Sequence, residues 1–180
     1  MLFRSVLSAA RLGLPTLSSF FVPLDELGRR RRLYRDTARA AGRSDTEIDA
    51  LERQGWGMRV VHVAPDRAEA LRATEPPFMG YQQKMSRLRS DGTGGTVPNS
   101  FDRTLLRLRS FQDYLADGWA LFGSAADVRD GLQQYLETTG YQRVLLLMAL
   151  PGLPTALALR SMRLFTTEVA PALTQMAQPR

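Results

Sequence analysis

The sequence predicts an α/β fold in which parallel strands are joined by helical crossovers. Three observations lead there. Segments of helical period alternate with three apolar runs, Leu14 to Val22, Met58 to Ala64 and Val144 to Leu150. Each run stops at a proline, Pro23, Pro65 or Pro151, and the helical segments between them are long enough for crossovers. With 180 residues, 44% hydrophobic and 23% charged, the chain can bury a core of its own. A closed (β/α)8 barrel takes roughly 250 residues, so barrel-like machinery here can be only part of one.

The elements follow in order. Ser5 to Leu12 predicts a short helix with Gly13 past its end, and Leu14 to Val22 a strand buried on both faces. From Asp25, Leu27, Tyr34, Ala38 and Ala41 recur at helical spacing until Gly42 stops the helix. An acidic turn or helix, Ser44 to Gln54, leads into the strand Met58 to Ala64. Asp66 caps a helix that Pro76-Pro77 ends, and a second helix, Tyr81 to Arg89, follows. Ser90 to Ser100 has the composition of a mobile loop. Thr104 to Leu115 is helical by pattern, and Leu121 to Ser124 reads as a turn whose serine caps the helix Ala125 to Thr138 before Gly140. Val144 to Leu150 is the third strand. Leu157 to Leu173 closes the chain as an amphipathic helix with Leu159, Met162, Phe165 and Val169 on one face.

Composition narrows the function classes. The net charge of +6 favours anionic partners only weakly, because arginine supplies every basic residue except Lys84 and is interspersed with acids. The run Arg29 to Arg32 lies on an amphipathic helix without interleaved aromatics, so it reads as a solvated face and not as a nucleic-acid platform. No cysteine is present, which removes disulfides, thiolate metal sites and thiol nucleophiles, and no metal site is expected. Arg11 splits the acid-free segment Met1 to Leu24 into pieces short for a leader, and Val144 to Leu150, the longest apolar run elsewhere, is far below a bilayer span. The expectation is a soluble, cytoplasmic chain with no membrane partner.

Six groups of residues together resemble the C-terminal half of the luciferase-like, flavin-dependent monooxygenases. They are Ala9 to Pro15 with Leu17 to Phe20, Tyr34 with Ala40 to Gly42, and Val60 to Asp66 with Glu69 and Ala70. Phe122 to Val128, Thr139-Gly140 and Leu159 to Pro171 complete the set, in an order that runs through nearly the whole chain. The resemblance implies a partial TIM barrel, strands six to eight with their helices, forming one domain over residues 1–180. Ser90 to Ser100 then resembles the mobile lid of the family, whose closure excludes water from the reaction.

The same resemblance implies reduced FMN as cofactor, with deazaflavin an alternative, and oxygen insertion into a small organic substrate. It places Ser5 at the flavin phosphate, where backbone N–H groups and hydroxyls face an anion, although Met1 to Arg4 departs from the serine-containing turn usual there. It places Phe20 beside the flavin ring. No catalytic residue is assigned: His62, the lone histidine, sits mid-strand between valines and reads as packed under a helix. Gly123-Ser124 departs from a phosphate-meeting turn by lacking Pro and Glu, and capping explains it. Three strands make a poor isolated sheet, so the isolated chain is expected to be incompetent in catalysis. The alternative is a non-catalytic half-barrel that docks on a partner chain, either a complementing half or another copy.

Overall fold

The computed structural model of the chain describes residues 4–92 and 108–176. Helix α1 (Arg4–Leu12) ends where Gly13 turns to φ +67°. Strand β1 (Leu17–Ser18) is only two residues long, in place of the nine-residue buried strand expected from Leu14 to Val22, and Leu14 and Leu17 are exposed. Helix α2 (Leu24–Ala40) buries Leu27, Tyr34 and Ala38, and Ala41 lies beyond its end, exposed. Helix α3 (Asp45–Gln54) is set by a capping box: the Ser44 hydroxyl accepts from the Glu47 amide while the Glu47 carboxylate accepts from the Ser44 amide.

Strand β2 (Trp56–Val63) is the axis of the sheet. It begins two residues before the predicted Met58, and Ala64 follows its end. Helix α4 (Arg67–Gly92) runs straight through Pro76 and Pro77, which the sequence reads as its end. A stripe at four-residue spacing, Ala70, Thr74, Phe78 and Gln82, is buried against the rest of the protein. Burial of that stripe outweighs the roughly 3 kcal/mol that an internal proline costs, and Pro76 itself faces outward. Of the predicted loop Ser90 to Ser100, the first three residues prolong α4 and the remainder lies outside the described residues.

The predicted helix Thr104 to Leu115 begins outside the described residues; within them Leu108 to Ser110 is non-helical, and helix α5 (Phe111–Ala116) is started by Ser110, which makes a second capping box with Asp113. The segment read as a turn, Leu121 to Ser124, is instead mostly strand β3 (Ala120–Gly123), so the sheet has four strands and not three. Helix α6 (Ala125–Thr139) is capped by Ser124 and Asp127 and stopped by Gly140 at φ +72°. Strand β4 (Arg143–Leu147) is shorter than the predicted Val144 to Leu150. The last helical segment is α7 (Thr155–Leu164), one π-helical turn (Phe165–Val169) and α8 (Ala170–Met176). Its buried face runs through Ala158, Ser161 and Val169, with Leu159 half exposed, because small residues make the close approach. The Ser161 hydroxyl accepts from the Val63 amide at 2.8 Å, tying this helix to the end of β2.

All pairings are parallel. Trp56 pairs with Leu17 on one side and Arg143 on the other, while Val60 pairs with Ala120 on one side and Leu147 on the other. Strands β1 and β3 therefore share one edge of β2, β1 at its start and β3 at its finish, and β4 takes the opposite edge. One sheet face, bearing Val61, Val63 and Leu146, meets Val128 and Leu132 of α6 and Val169 of the terminal helix. The other face carries Val60, Ala120 and Phe122 and is covered toward its carboxyl end by Phe78 of α4 and Phe111 and Tyr114 of α5.

Candidate functional site

The cavity that contains Ser5 lies between α1, α2 and the beginnings of the strands. Its volume is about 230 Å³, and Ser5, Ser18, Arg30, Arg31, Glu52 and Tyr141 are among its lining. The Tyr141 hydroxyl is 2.8 Å from the hydroxyls of both Thr16 and Ser18, so three side chains tie the β1 segment to the approach of β4, two residues before it begins. Glu52, 7% exposed, accepts from Arg31 at 2.9 and 3.0 Å and from Arg35 at 2.8 Å. Arg31 also donates to the Glu137 carbonyl in the last turn of α6, where a cation complements the helix dipole. Arg30 spends its Nε on Glu26 at 3.0 Å, while its Nη2 is buried and, among the described residues, without a hydrogen-bond partner. Two arginines and several hydroxyls thus stand around the cavity, a donor set suited to an anion.

The run Arg29 to Arg32 is only partly a solvated face. Arg29 and Arg32 are exposed, whereas Arg30 and Arg31 turn inward. Sequence reasoning missed both, along with Glu52. The signal was available for Glu52, because Ile48 and Glu52 stand four apart and share the buried face of α3. No comparable signal separates Arg30 from its neighbours.

Phe20 stands apart from this cavity, which it does not line. It is 6% exposed, packs with Phe21 at a ring separation of 4.0 Å, and belongs to the aromatic cluster of Phe78, Phe111, Tyr114, Trp119 and Phe122. Ser5 and Phe20, the two residues expected at opposite ends of one cofactor, are therefore not brought together in one cavity. Ser124 performs the capping expected of it: Asp127 occupies the helix start, its carboxyl held below the usual range by hydrogen bonds from the Ser124 hydroxyl and amide. Among the described residues no cluster of acids and His suits a metal ion.

His62 is 3% exposed and shares its sheet face with Phe122, its register partner. Its Nδ1 is buried and, among the described residues, without a hydrogen-bond partner, and desolvation lowers its pKa below the ordinary 6.5, opposed by the charge of Glu69. In the unfolded chain the imidazole takes a proton before it does in the folded one. Stability is therefore full above pH 6.5 and declines as pH falls from there toward the lower folded value. We expect denaturation midpoints to drop across that interval and His62→Gln to flatten the drop. An unchanged slope in the variant would show that another group is responsible.

A second buried ionisable group, Arg59, is 1% exposed with its guanidinium 4.1 Å over the Tyr135 ring. It donates to the Met58 carbonyl at 2.8 Å and, more weakly, to that of Val22 at 3.4 Å. Burial lowers its pKa to about 10. It faces the helix layer and lines none of the site described above.

The signature of the luciferase-like monooxygenases matches residues 4–143, more than three quarters of the chain. No curated protein matches the sequence significantly. Among solved structures, the chain is similar to a monooxygenase from Streptomyces bottropensis, at 24% identity and a TM-score of 0.59, over 94% of this chain and 45% of that one. It is similar to the oxygenating constituent of 3,6-diketocamphane monooxygenase from Pseudomonas putida, a type II Baeyer–Villiger enzyme solved with FMN. That likeness has 23% identity and a TM-score of 0.60, over 93% of this chain and 45% of that one. A riboflavin lyase solved with modified FMN and riboflavin is similar at 18% identity and a TM-score of 0.55, over 96% and 41% of the two chains. The chain thus spans less than half the length of these structures, and its open parallel sheet corresponds to about half of their barrels. Among the described residues no helix is long and apolar enough to cross a membrane. The chain belongs to the luciferase-like monooxygenase family and represents a partial domain of it.

Proposed function

We propose that this chain is the part of a flavin-dependent oxidoreductase that anchors the phosphate of FMN, corresponding to strands six to eight of the barrel. The observation that supports this reading most is the family match over residues 4–143, joined to Arg30 and Arg31, which line one cavity with Ser5. Those residues fit the phosphate end of a flavin. The ring end does not fit: Phe20 is enclosed among aromatics, and a cavity of about 230 Å³ is below the 300–1,000 Å³ usual for a small-molecule site. When bound, reduced FMN supplies oxygen-activating chemistry, or a deazaflavin hydride transfer. This chain's own residues supply the anchor, and further polypeptide must supply the ring wall and the pocket for a small organic substrate.

Fluorescence titration of the isolated chain with FMN tests this. We expect no stoichiometric complex in the micromolar range, and only weak, phosphate-dependent quenching that Arg30→Ala abolishes. A saturable one-to-one complex at micromolar FMN would overturn the claim that the ring site is incomplete, and quenching indifferent to Arg30→Ala would overturn the anchor. The free edges of the sheet favour a second reading, a non-catalytic half-barrel that docks on a partner chain. In that case no added polypeptide would restore flavin binding.

A further inference from the structure

The cover that α4 and α5 make over the carboxyl end of one sheet face leaves polar groups unpaired. Among the described residues, three side chains there are buried with a nitrogen that has no hydrogen-bond partner: His62 Nδ1 on β2, Gln82 Nε2 on α4 and Trp119 Nε1 just ahead of β3. They are 3%, 4% and 1% exposed. His62 shares its face with Phe122, whose ring Phe78 of α4 meets at 5.6 Å. Gln82 stands one turn beyond Phe78, and the Trp119 ring lies 4.9 Å from that of Tyr114 in α5. Buried polar groups are ordinarily paired, so ring contacts hold this interface against a standing cost. Pro76 and Pro77 weaken α4 itself beside Phe78, because each removes an N–H from the helix ladder.

A proton on His62 adds a charge to that interface, and the groups facing the imidazole decide what gives way. Strand β3 brings Phe122 and no titratable group, and α5 brings the Tyr114 phenol. Helix α4 brings Glu69, the one charge among the described residues that acts on the imidazole, and Arg160 of α7 already holds that partly exposed carboxylate at 2.9 Å. The imidazolium is left without a buried acceptor and must reach water. The strand cannot turn to let it out. Val61 and Val63, its chain neighbours, are buried against the helices on the opposite face, and the Ser161 hydroxyl accepts from the Val63 amide. We propose that acid releases the α4–α5 cover: one proton taken by His62 lifts it from the sheet, while β2, α6 and the terminal helix stay folded. Parallel α/β folds place their ligand sites at the carboxyl ends of the strands, so the released state opens that end of this sheet. The device is independent of flavin, and a failed FMN titration leaves it untouched.

Trp119 reports the state of the cover, and Trp56, the other tryptophan, is removed by Trp56→Phe. In that background acrylamide should quench Trp119 fluorescence weakly at neutral pH and strongly at about pH 5, below the ordinary imidazole range, with the far-ultraviolet circular dichroism spectrum retained. Hydrogen exchange on the unaltered chain should localise the change. Protection of Phe78 to Lys84 and of Phe111 to Ala116, corrected for intrinsic exchange, should fall by up to about tenfold for each pH unit below 6.5. Val60 to Val63 and Val128 to Leu132 should keep theirs. His62→Gln, neutral throughout, should keep Trp119 shielded in acid, whereas Glu69→Gln should still open, at a lower pH, because the carboxylate favours the protonated imidazole. Equal loss of protection in cover and sheet would be global acid unfolding and would overturn the proposal. So would a Trp119 that stays shielded in acid, a His62→Gln variant that opens as the unaltered chain does, or opening abolished by Glu69→Gln. If His62→Gln does not fold, exchange on the unaltered chain and on Glu69→Gln decides alone.

Discussion

Gly57→Ala is expected to destabilise the chain by about 3 kcal/mol, the upper part of the range for overpacking a core. A Cβ at Gly57 would lie 1.9 Å from the Tyr135 hydroxyl oxygen and 2.6 Å from Cζ, distances no relaxed structure tolerates. Tyr135 cannot yield, because it is 1% exposed and the Arg59 guanidinium lies on its ring. The check is a double-mutant cycle by chemical denaturation. Gly57→Ala should cost clearly less in a Tyr135→Leu background, with a coupling above about 1 kcal/mol for residues in direct contact. Equal costs in both backgrounds would mean that strand β2 shifts and that the tyrosine is not the obstacle.

The second large effect is expected at Phe78. Its side chain is fully buried, and its ring meets those of Phe111, Tyr114 and Phe122 edge-on at 6.0, 5.4 and 5.6 Å. Phe78→Ala removes the residue that joins α4 and α5 to β3, and should cost about 3–5 kcal/mol. Leu159→Ala, on a half-exposed site, should stay within about 0.5 kcal/mol and serves as the control. If the two variants melted alike, the aromatic cluster would be a loose cap and the continuous course of α4 through Pro76 and Pro77 would need another cause.

These expectations rest on contacts that the sequence reveals unevenly. Boundaries set by neighbouring residues were legible: the Ser44–Glu47 box starts α3, and Gly140 ends α6 with a left-handed turn. Boundaries set by distant residues were not. Leu14 to Val22 has the apolar composition of a buried strand, yet only Leu17 and Ser18 find a ladder partner. Ala120 to Gly123 is too short, and too close to a glycine and a cap, to be told from a turn until β2 pairs with it. Pro76 and Pro77 carry a strong local stop signal that the buried stripe through Phe78 overrules.

Less of the site was legible. Ser5 was expected at an anion from the family position alone, and in the fold it lines a cavity with Arg30 and Arg31, two of four consecutive arginines that no local rule distinguishes. Phe20 was expected beside a ring from the family position alone. In the folded chain its neighbours are Phe21 and the aromatic cluster, which depends on helices far along the sequence.

The hydroxyl triad of Tyr141, Thr16 and Ser18 has a kinetic consequence. Strand β1 is held to the sheet by a two-residue ladder, so a few side-chain hydrogen bonds carry an unusual share of its attachment. Opening this border breaks those bonds without disturbing the valines of β2, and local openings of that kind lie far below the free energy of global unfolding. Amide protons at Leu17 and Ser18 should therefore exchange with solvent well before those at Val60 to Val63. Tyr141 acts as a latch that sets how often the first strand swings away, and hence how fast any strand could be traded at that border.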